Sequence, residues 1–540
     1  MGTEYWLDNV GTYVDLLSQA TEHYLSKTAI EDGEHRLSYG ELNEAVFKAS
    51  KAFIHRGVKK GDPVAIWAPN IWEWVVTALG AQTIGAILVP INTRFKGGEA
   101  AYILDKAKVK HVFGVQGFLG NNYLQMLAQH YGDGDLVRGE AKIEERFDSI
   151  VSLRGDAPTY ATSFDDFIEK GALVSHEVVH AARQSVTRDT ISDLLFTSGT
   201  TGYPKGVMTS HQQNLKAFTC WSEVVGLTEG DRYLVINPFF HAFGYKAGWL
   251  ASLMRGATIL PHPVFDPKQA LERIGKDQVS MLPGPPALFQ TFLAQPNLAD
   301  YDLSSLRLSV TGAASIPVEL IQQMKDVLNF DVVVTGYGLT EACGIATMCR
   351  AGDPAETIAN TSGRAIPGCE VLVVDEKGKE VPRGEPGEVV VRGYNVMQGY
   401  FEMPDETAKT IDAEGWLHTG DIGVMDEEGN LRITDRLKDM FIMGGFNCYP
   451  AEIENCILKH GDLMQVAVIG VPDERMGEVG MAWVVRKPGA DIDEETLSQW
   501  CRDNMANYKV PRDIRFVDSL PMNATGKVQK FRLREQATVG

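Results

Sequence analysis

Four hydroxyls, three glycines and one lysine fall within ten residues in "TSGTTGYPKG", positions 197–206. Thr197, Ser198, Thr200 and Thr201 supply O–H donors. Gly199 and Gly202 let backbone N–H groups approach a ligand closely, and Lys205 adds a positive charge. This set suits a polyphosphate cradle. A Walker A loop needs G-x-x-x-x-G-K-[ST]. Here Pro204 stands where that pattern needs Gly, and Gly206 stands where it needs the metal-binding hydroxyl. A loop of this kind grips phosphates but must find its Mg²⁺ carboxylate elsewhere.

Candidates for that carboxylate and for nucleoside contacts follow. In "TGYGLTEACG", Tyr337 lies between Gly336 and Gly338, where its ring can meet a planar base. Glu341 follows close behind and can hold a hard cation against phosphate oxygens. "GWLHTGD" ends in Asp421, a carboxylate suited to two ribose hydroxyls, and "TDRLKD" offers Arg436 as a fork donor. Lys527 in "NATGK" is by itself an ordinary solvated lysine.

Such residues need a scaffold that brings them together. Five apolar runs stop at loops rich in Gly, Pro or hydroxyls: DLLF at TSGTTG, YLVI at NPFFHAFG, VSML at PGPP, LRLSV at TGAAS and DVVVT at GYGLTE. In open parallel sheets, ligands sit outside the carboxyl ends of strands, so five such loops predict one shared crevice. "VAIWAPNIWEWVVTALGAQTIGAILVP" reads as strand, buried helix, strand and not as a membrane span, because Pro69 and Glu73 interrupt it. From residue 437 onward a compact module follows. It has helices at PAEIENCILKH and ETLSQWCRDN and strands at QVAVIGV, AWVVRK and DIRFVDS. The expected fold class is α/β: a large domain of layered sheets over 1–436 and a small mobile domain over 437–540.

Composition limits the function. The 540 residues exceed one compact core. A formal net charge of -20 without a basic stripe argues against nucleic-acid binding. Seven scattered cysteines without a CxxC pair suit a reducing cytoplasm, and the N-terminus lacks a basic-then-apolar signal. A homodimer is the default assembly.

Taken in order, TSGTTGYPKG, NPFFHAFG, TGAAS, GYGLTE, GWLHTGD, DRLKDMFIMGGFNCYPAEIE and NATGK resemble the adenylate-forming superfamily of acyl- and aryl-CoA synthetases, peptide-synthetase adenylation domains and beetle luciferases. The resemblance implies ATP, Mg²⁺ and coenzyme A as reactants or cofactors. It implies that 197–206 closes over the β- and γ-phosphates, with His241 beside the substrate carboxylate. Gly312, Ala313 and Ala314 would pack on adenine beneath Tyr337, and the strand end Thr335–Gly338 would line the nucleotide. Thr340 would meet the α-phosphate and Glu341 the Mg²⁺. Asp421 and Arg436 would anchor ribose, and Lys438 would be the hinge. Gly444, Gly445 and Phe446 would line the pantetheine tunnel, and Lys527 would be the adenylation lysine. An acyl pocket is expected among His241, Phe243, Lys246, Gly284, Gly312 and Gly336. Lys246 either meets a polar group of the acid or points to solvent.

The implied chemistry has two steps. A carboxylic acid and ATP give acyl-AMP and pyrophosphate, and then CoA gives acyl-CoA and AMP. Within the superfamily the chain is similar to bacterial fatty-acyl-CoA synthetases, including ligases for the bicyclic propionate left by steroid-ring degradation. The alternatives are an aryl (cinnamate- or benzoate-type) CoA ligase and a stand-alone adenylation enzyme with another acceptor.

Overall fold

A computed structural model describes residues 6–198, 204–312, 316–375, 377–436, 441–448, 450–521, 528 and 530–538. The run from Val64 to Pro90 shows how it is built. Strand Pro63–Trp67, helix Trp72–Gln82 and strand Ile87–Pro90 follow one another, and the strands pair in parallel with Val64 opposite Leu88. Every helix residue from Glu73 to Gln82 is buried. A helix packed on all sides has no polar face, which is why this stretch reads as almost continuously apolar. Its one carboxylate, Glu73, accepts from Arg154 Nε at 2.6 Å.

These strands belong to an eight-stranded sheet. Its parallel part runs 191–198, 87–90, 63–67, 111–114, 149–152, 162–163. Strands 204–210 and 399–400 extend it antiparallel at one edge. A second layer combines 35–38, 28–32, 258–261 and 232–235 with 308–311, 332–337, 347–348 and 364–365. Met281 joins the two halves by bridging Tyr233 and Leu308. The strand expected at VSML is therefore a one-residue bridge. Pro283 follows directly and has no N–H to continue the ladder.

Between helix 72–82 and the helical segment 243–255, Trp74, Tyr245 and Trp249 pack with ring centroids 4.7–6.2 Å apart. Residues Phe243–Leu250 form a π-helix. A four-stranded antiparallel sheet (369–374, 386–393, 417–425, 431–436) completes the large domain over a core of Val371, Val389, Val391, Leu417 and Leu431.

The C-terminal strands 441–443, 446–448, 463–473, 477–486 and 513–516 form one sheet with helices Pro450–Ile457 and Glu494–Asn504 against it. This domain has its own core, which includes Ile457, Val468, Val484 and Leu497. The expected helices and strands of this module are all present. The large domain's last strand ends at Arg436 and the small domain's first begins at Phe441; Lys438 lies outside the described residues. No described helix is long and apolar enough to cross a membrane.

Candidate active site

The phosphate-loop sequence connects two antiparallel strands, with Thr197 opposite Lys205. The stretch is followed by a strand, 204–210, and not by a helix, so the helix-terminus dipole that assists a P-loop is not built in directly after it. Gly199, Thr200, Thr201 and Gly202 lie outside the described residues. Ser198 ends the first strand.

Lys205 is buried, and its ammonium reaches Glu406 Oε2 at 2.6 Å while lying 4.8 Å from the centre of the Tyr400 ring. The other Glu406 oxygen accepts from Lys409 at 2.7 Å. Hydrogen bonds from Lys205 and then Lys409 hold the Glu406 carboxyl down at about 2. Helix Pro404–Thr410 carries Glu406, with Pro at its first position. The pairing of Tyr400 with Val207 fixes that helix against the hairpin, as does the hydrogen bond that the Tyr400 amide donates to the Thr407 hydroxyl.

Tyr400 also donates to Glu341 Oε1 at 2.9 Å, and Thr197 Oγ1 donates to the same oxygen at 3.3 Å. The cavity therefore brings the phosphate-loop lysine and the expected metal carboxylate to one tyrosine. Glu341 sits in the turn Thr340–Ala342, directly after strand Val332–Tyr337. Its hard oxygen among hydroxyls fits Mg²⁺, which takes one or two carboxylates and completes its shell with substrate phosphates and water. Among the described residues no group of three His, Cys, Asp or Glu could hold a metal alone.

Where the sequence predicts nucleoside contacts, Tyr337 donates its hydroxyl to Asp421 Oδ2 at 2.6 Å. Asp421 pairs in register with Arg436. Gly312 has a φ of 155°, and a side chain at Gly338 would meet the Gly344 carbonyl at 2.3 Å, so both positions require glycine. Thr335 reaches the wall, but its hydroxyl is committed to the carbonyls of Ile358 and Thr361 at 3.0 and 2.9 Å. Ala313, Ala314 and Lys527 lie outside the described residues.

One cavity of about 2110 Å³ collects Thr197, Lys205, His241, Phe243, Gly284, Gly312, Thr335–Glu341 and Asp421. All five expected loops contribute to it. His241 is open to this cavity, and its Nδ1 accepts from the Phe243 amide at 3.2 Å. Burial in the surrounding wall, with the Lys246 charge second, holds the imidazole below its ordinary range. Phe218, Trp221, Leu288 and Ile316 add an apolar wall. Gly444, Gly445 and Phe446 of the small domain also line the cavity, where a side chain on Gly445 would come within 3.9 Å of Pro285.

Lys246 corrects the sequence reading. It reaches neither the acid nor solvent. Its side chain is 0% exposed, with Asp193 Oδ1 at 3.1 Å and Thr209 Oγ1 at 3.0 Å. The π-helix explains the error: its wider turn carries position i+3 off the face it would share with Phe243 in an α-helix. Sequence reasoning also missed Tyr400 and Glu406. The available signal was the aromatic–glycine run GYF ahead of a proline-started helix.

A family model described as "AMP-binding enzyme" matches residues 17–401, and "AMP-binding enzyme C-terminal domain" matches 452–527. The chain belongs to the AMP-binding enzyme family. Two curated relatives are each named 3-[(3aS,4S,7aS)-7a-methyl-1,5-dioxo-octahydro-1H-inden-4-yl]propanoyl:CoA ligase. The Rhodococcus jostii (strain RHA1) protein is 46% identical over 96% of this chain and 98% of its own length. The Mycobacterium tuberculosis protein is 46% identical over 96% and 97%. Among solved structures, the amide bond synthetase McbA from Marinactinospora thermotolerans superposes with a TM-score of 0.81, at 27% identity over 96% of this chain and 99% of its own.

Proposed function

We propose that this AMP-binding enzyme is an ATP-dependent acyl-CoA ligase whose acid is a propanoate carried on a fused bicyclic ring. The observation that carries the choice of acid is the full-length 46% identity to two ligases named for such a substrate. The apolar cavity wall of Phe218, Trp221 and Leu288 is consistent with a bulky ring system.

In the first step a carboxylate oxygen of the acid bonds to the α-phosphorus of ATP, the α–β phosphoanhydride bond breaks and pyrophosphate leaves. The reactants are both anionic, so catalysis consists of positioning and charge neutralisation. Lys205 would exchange Glu406 for the β- and γ-phosphates, and Tyr337 and Asp421 would orient the nucleoside. Mg²⁺ held by Glu341 would neutralise phosphate charge. Lys527 is assigned to the same step. In the second step the CoA sulfur bonds to the acyl carbon, the bond to AMP breaks and the thiol proton passes to solvent. For this step the small domain turns about Lys438, so that 444–446 line the thiol's path. The approach of Gly445 to Pro285 supports reading the present orientation as the second one. The scattered cysteines favour a cytoplasmic setting.

The test is acid-dependent release of AMP and pyrophosphate, with CoA or an amine as acceptor. The panel is the bicyclic dioxo-propanoate, octanoate, palmitate and cinnamate. The bicyclic acid with CoA should give the highest kcat/KM. Preference for a fatty or aromatic acid would overturn the substrate assignment, and product only with the amine would overturn the acceptor.

A further inference from the structure

The two domains meet through the segment Asn92–Glu99 of the large domain, and its contacts converge on two neighbouring residues of the small one. Asn92 Nδ2 donates to the Tyr508 hydroxyl at 3.2 Å. The Arg94 guanidinium lies 4.1 Å from the centre of the Phe446 ring, which stacks on Tyr508 with centroids 4.7 Å apart. Phe95 packs against the small domain's core. Lys509 is only 3% exposed and sits between two carboxylates, Glu99 Oε1 at 2.9 Å and Glu452 Oε1 at 2.5 Å.

Glu452 belongs to the small domain and travels with Lys509. Glu99 does not. Its Oε2 accepts from the Lys96 amide at 2.9 Å at the start of helix Gly97–Lys106, which ties it to the large domain. A rotation that carries the small domain away from the Asn92–Glu99 segment separates Lys509 from Glu99. A buried ammonium that loses one of two carboxylates, and a carboxylate that loses its counter-ion, both become less favourable. A contact made in one orientation and absent in the other shifts the equilibrium between them by its differential free energy.

We infer that Glu99 is the catch that holds the small domain in the thioester-forming orientation, acting through Lys509 beside the Arg94–Phe446–Tyr508 stack. It is a positioning residue. It does not line the cavity, whereas Asn92, Arg94, Phe95 and Lys96 do. The inference rests on the CoA-ligase reading above and names the element that governs its second step.

Single-turnover kinetics of Glu99→Gln separate the half-reactions. The glutamine keeps an oxygen for the Lys96 amide. Enzyme, ATP and 3-(7a-methyl-1,5-dioxo-octahydroinden-4-yl)propanoate are mixed and the pyrophosphate burst is timed; CoA is then added and AMP release is timed. The expected result is a burst rate equal to or above that of the wild type and a roughly tenfold slower CoA-dependent step. An unchanged CoA step overturns the inference, as does an equal fall in both steps at an unchanged melting temperature. If E99Q melts below the assay temperature, Glu99→Asp takes its place under the same criteria, because the shorter carboxylate keeps its charge at the start of helix Gly97–Lys106 but is drawn back from Lys509. Absence of any burst in the wild-type enzyme would fail the ligase reading and not the catch.

Discussion

Two lysine–carboxylate pairs occupy opposite ends of one β-hairpin and do different work. At the far end Lys246 meets Asp193 with both side chains 0% exposed. Asp193 also accepts from Ser192 at 2.6 Å, Thr209 at 2.7 Å and Asn214 at 2.6 Å. At the loop end Lys205 meets Glu406, whose side chain is 23% exposed and shared with the solvent-facing Lys409. Isolation of a charge from water is tolerable only when every partner is fixed. The first pair satisfies that condition and anchors the fold. The second leaves one partner at the surface, open to exchange.

The sharpest way to break this contrast is Lys246→Met. It strands the Asp193 carboxylate and should lower unfolding free energy by about 3–5 kcal/mol, read by denaturant titration. Adding Asp193→Asn should restore part of that loss. If Lys246→Met melts like the wild type, the far end is not an anchor.

At the loop end the effect should move from stability to turnover. Lys205→Ala should lower kcat/KM for ATP by roughly a hundredfold, while its melting temperature stays near that of the wild type. A large melting shift would erase the distinction.

A third test uses pH. His211 follows the hairpin directly and is fully buried, with its Nδ1 accepting from the Tyr13 amide at 3.1 Å. Burial pushes its pKa down from 6.5 to about 3. Between those values the unfolded chain holds a proton that the folded chain does not. This contribution is therefore complete above pH 6.5 and is lost as pH falls towards 3. By pH 5 the loss amounts to about 2 kcal/mol. Melting curves from pH 7 to 5 should show the decline, and His211→Gln should flatten it.

The smallest effect is expected from Glu406→Gln. A neutral amide competes less well than a carboxylate for Lys205, so KM for ATP should fall about three- to fivefold with kcat nearly constant. A rise in KM would mean that Glu406 assists nucleotide binding.

The layered fold was legible because its signals are local. Apolar runs end in Gly- and Pro-rich loops, and those loops do meet at one cavity. Tyr337, Glu341 and Asp421, picked out by residue type, do line that cavity together. Lys246 misled because its direction depends on a π-helix, and no residue type announces that geometry. Glu406 and Tyr400 were missed because their meaning comes from strand 399–400 pairing with strand 204–210, a contact between segments nearly two hundred residues apart in sequence. Glu99 was missed for the same reason: Lys509, which completes it, lies in the other domain.

The hairpin's register limits how this chain can be lengthened. Thr197 faces Lys205 and Asp193 faces Thr209, four residues further along each strand. Side chains alternate faces with a period of two. One residue inserted between 205 and 209 would turn either the phosphate lysine or the Thr209 hydroxyl to the wrong side. An insertion between 198 and 204 changes neither relation. Library designs that vary length should therefore confine additions and deletions to the turn, where altered phosphate grip can be explored without unseating Lys246.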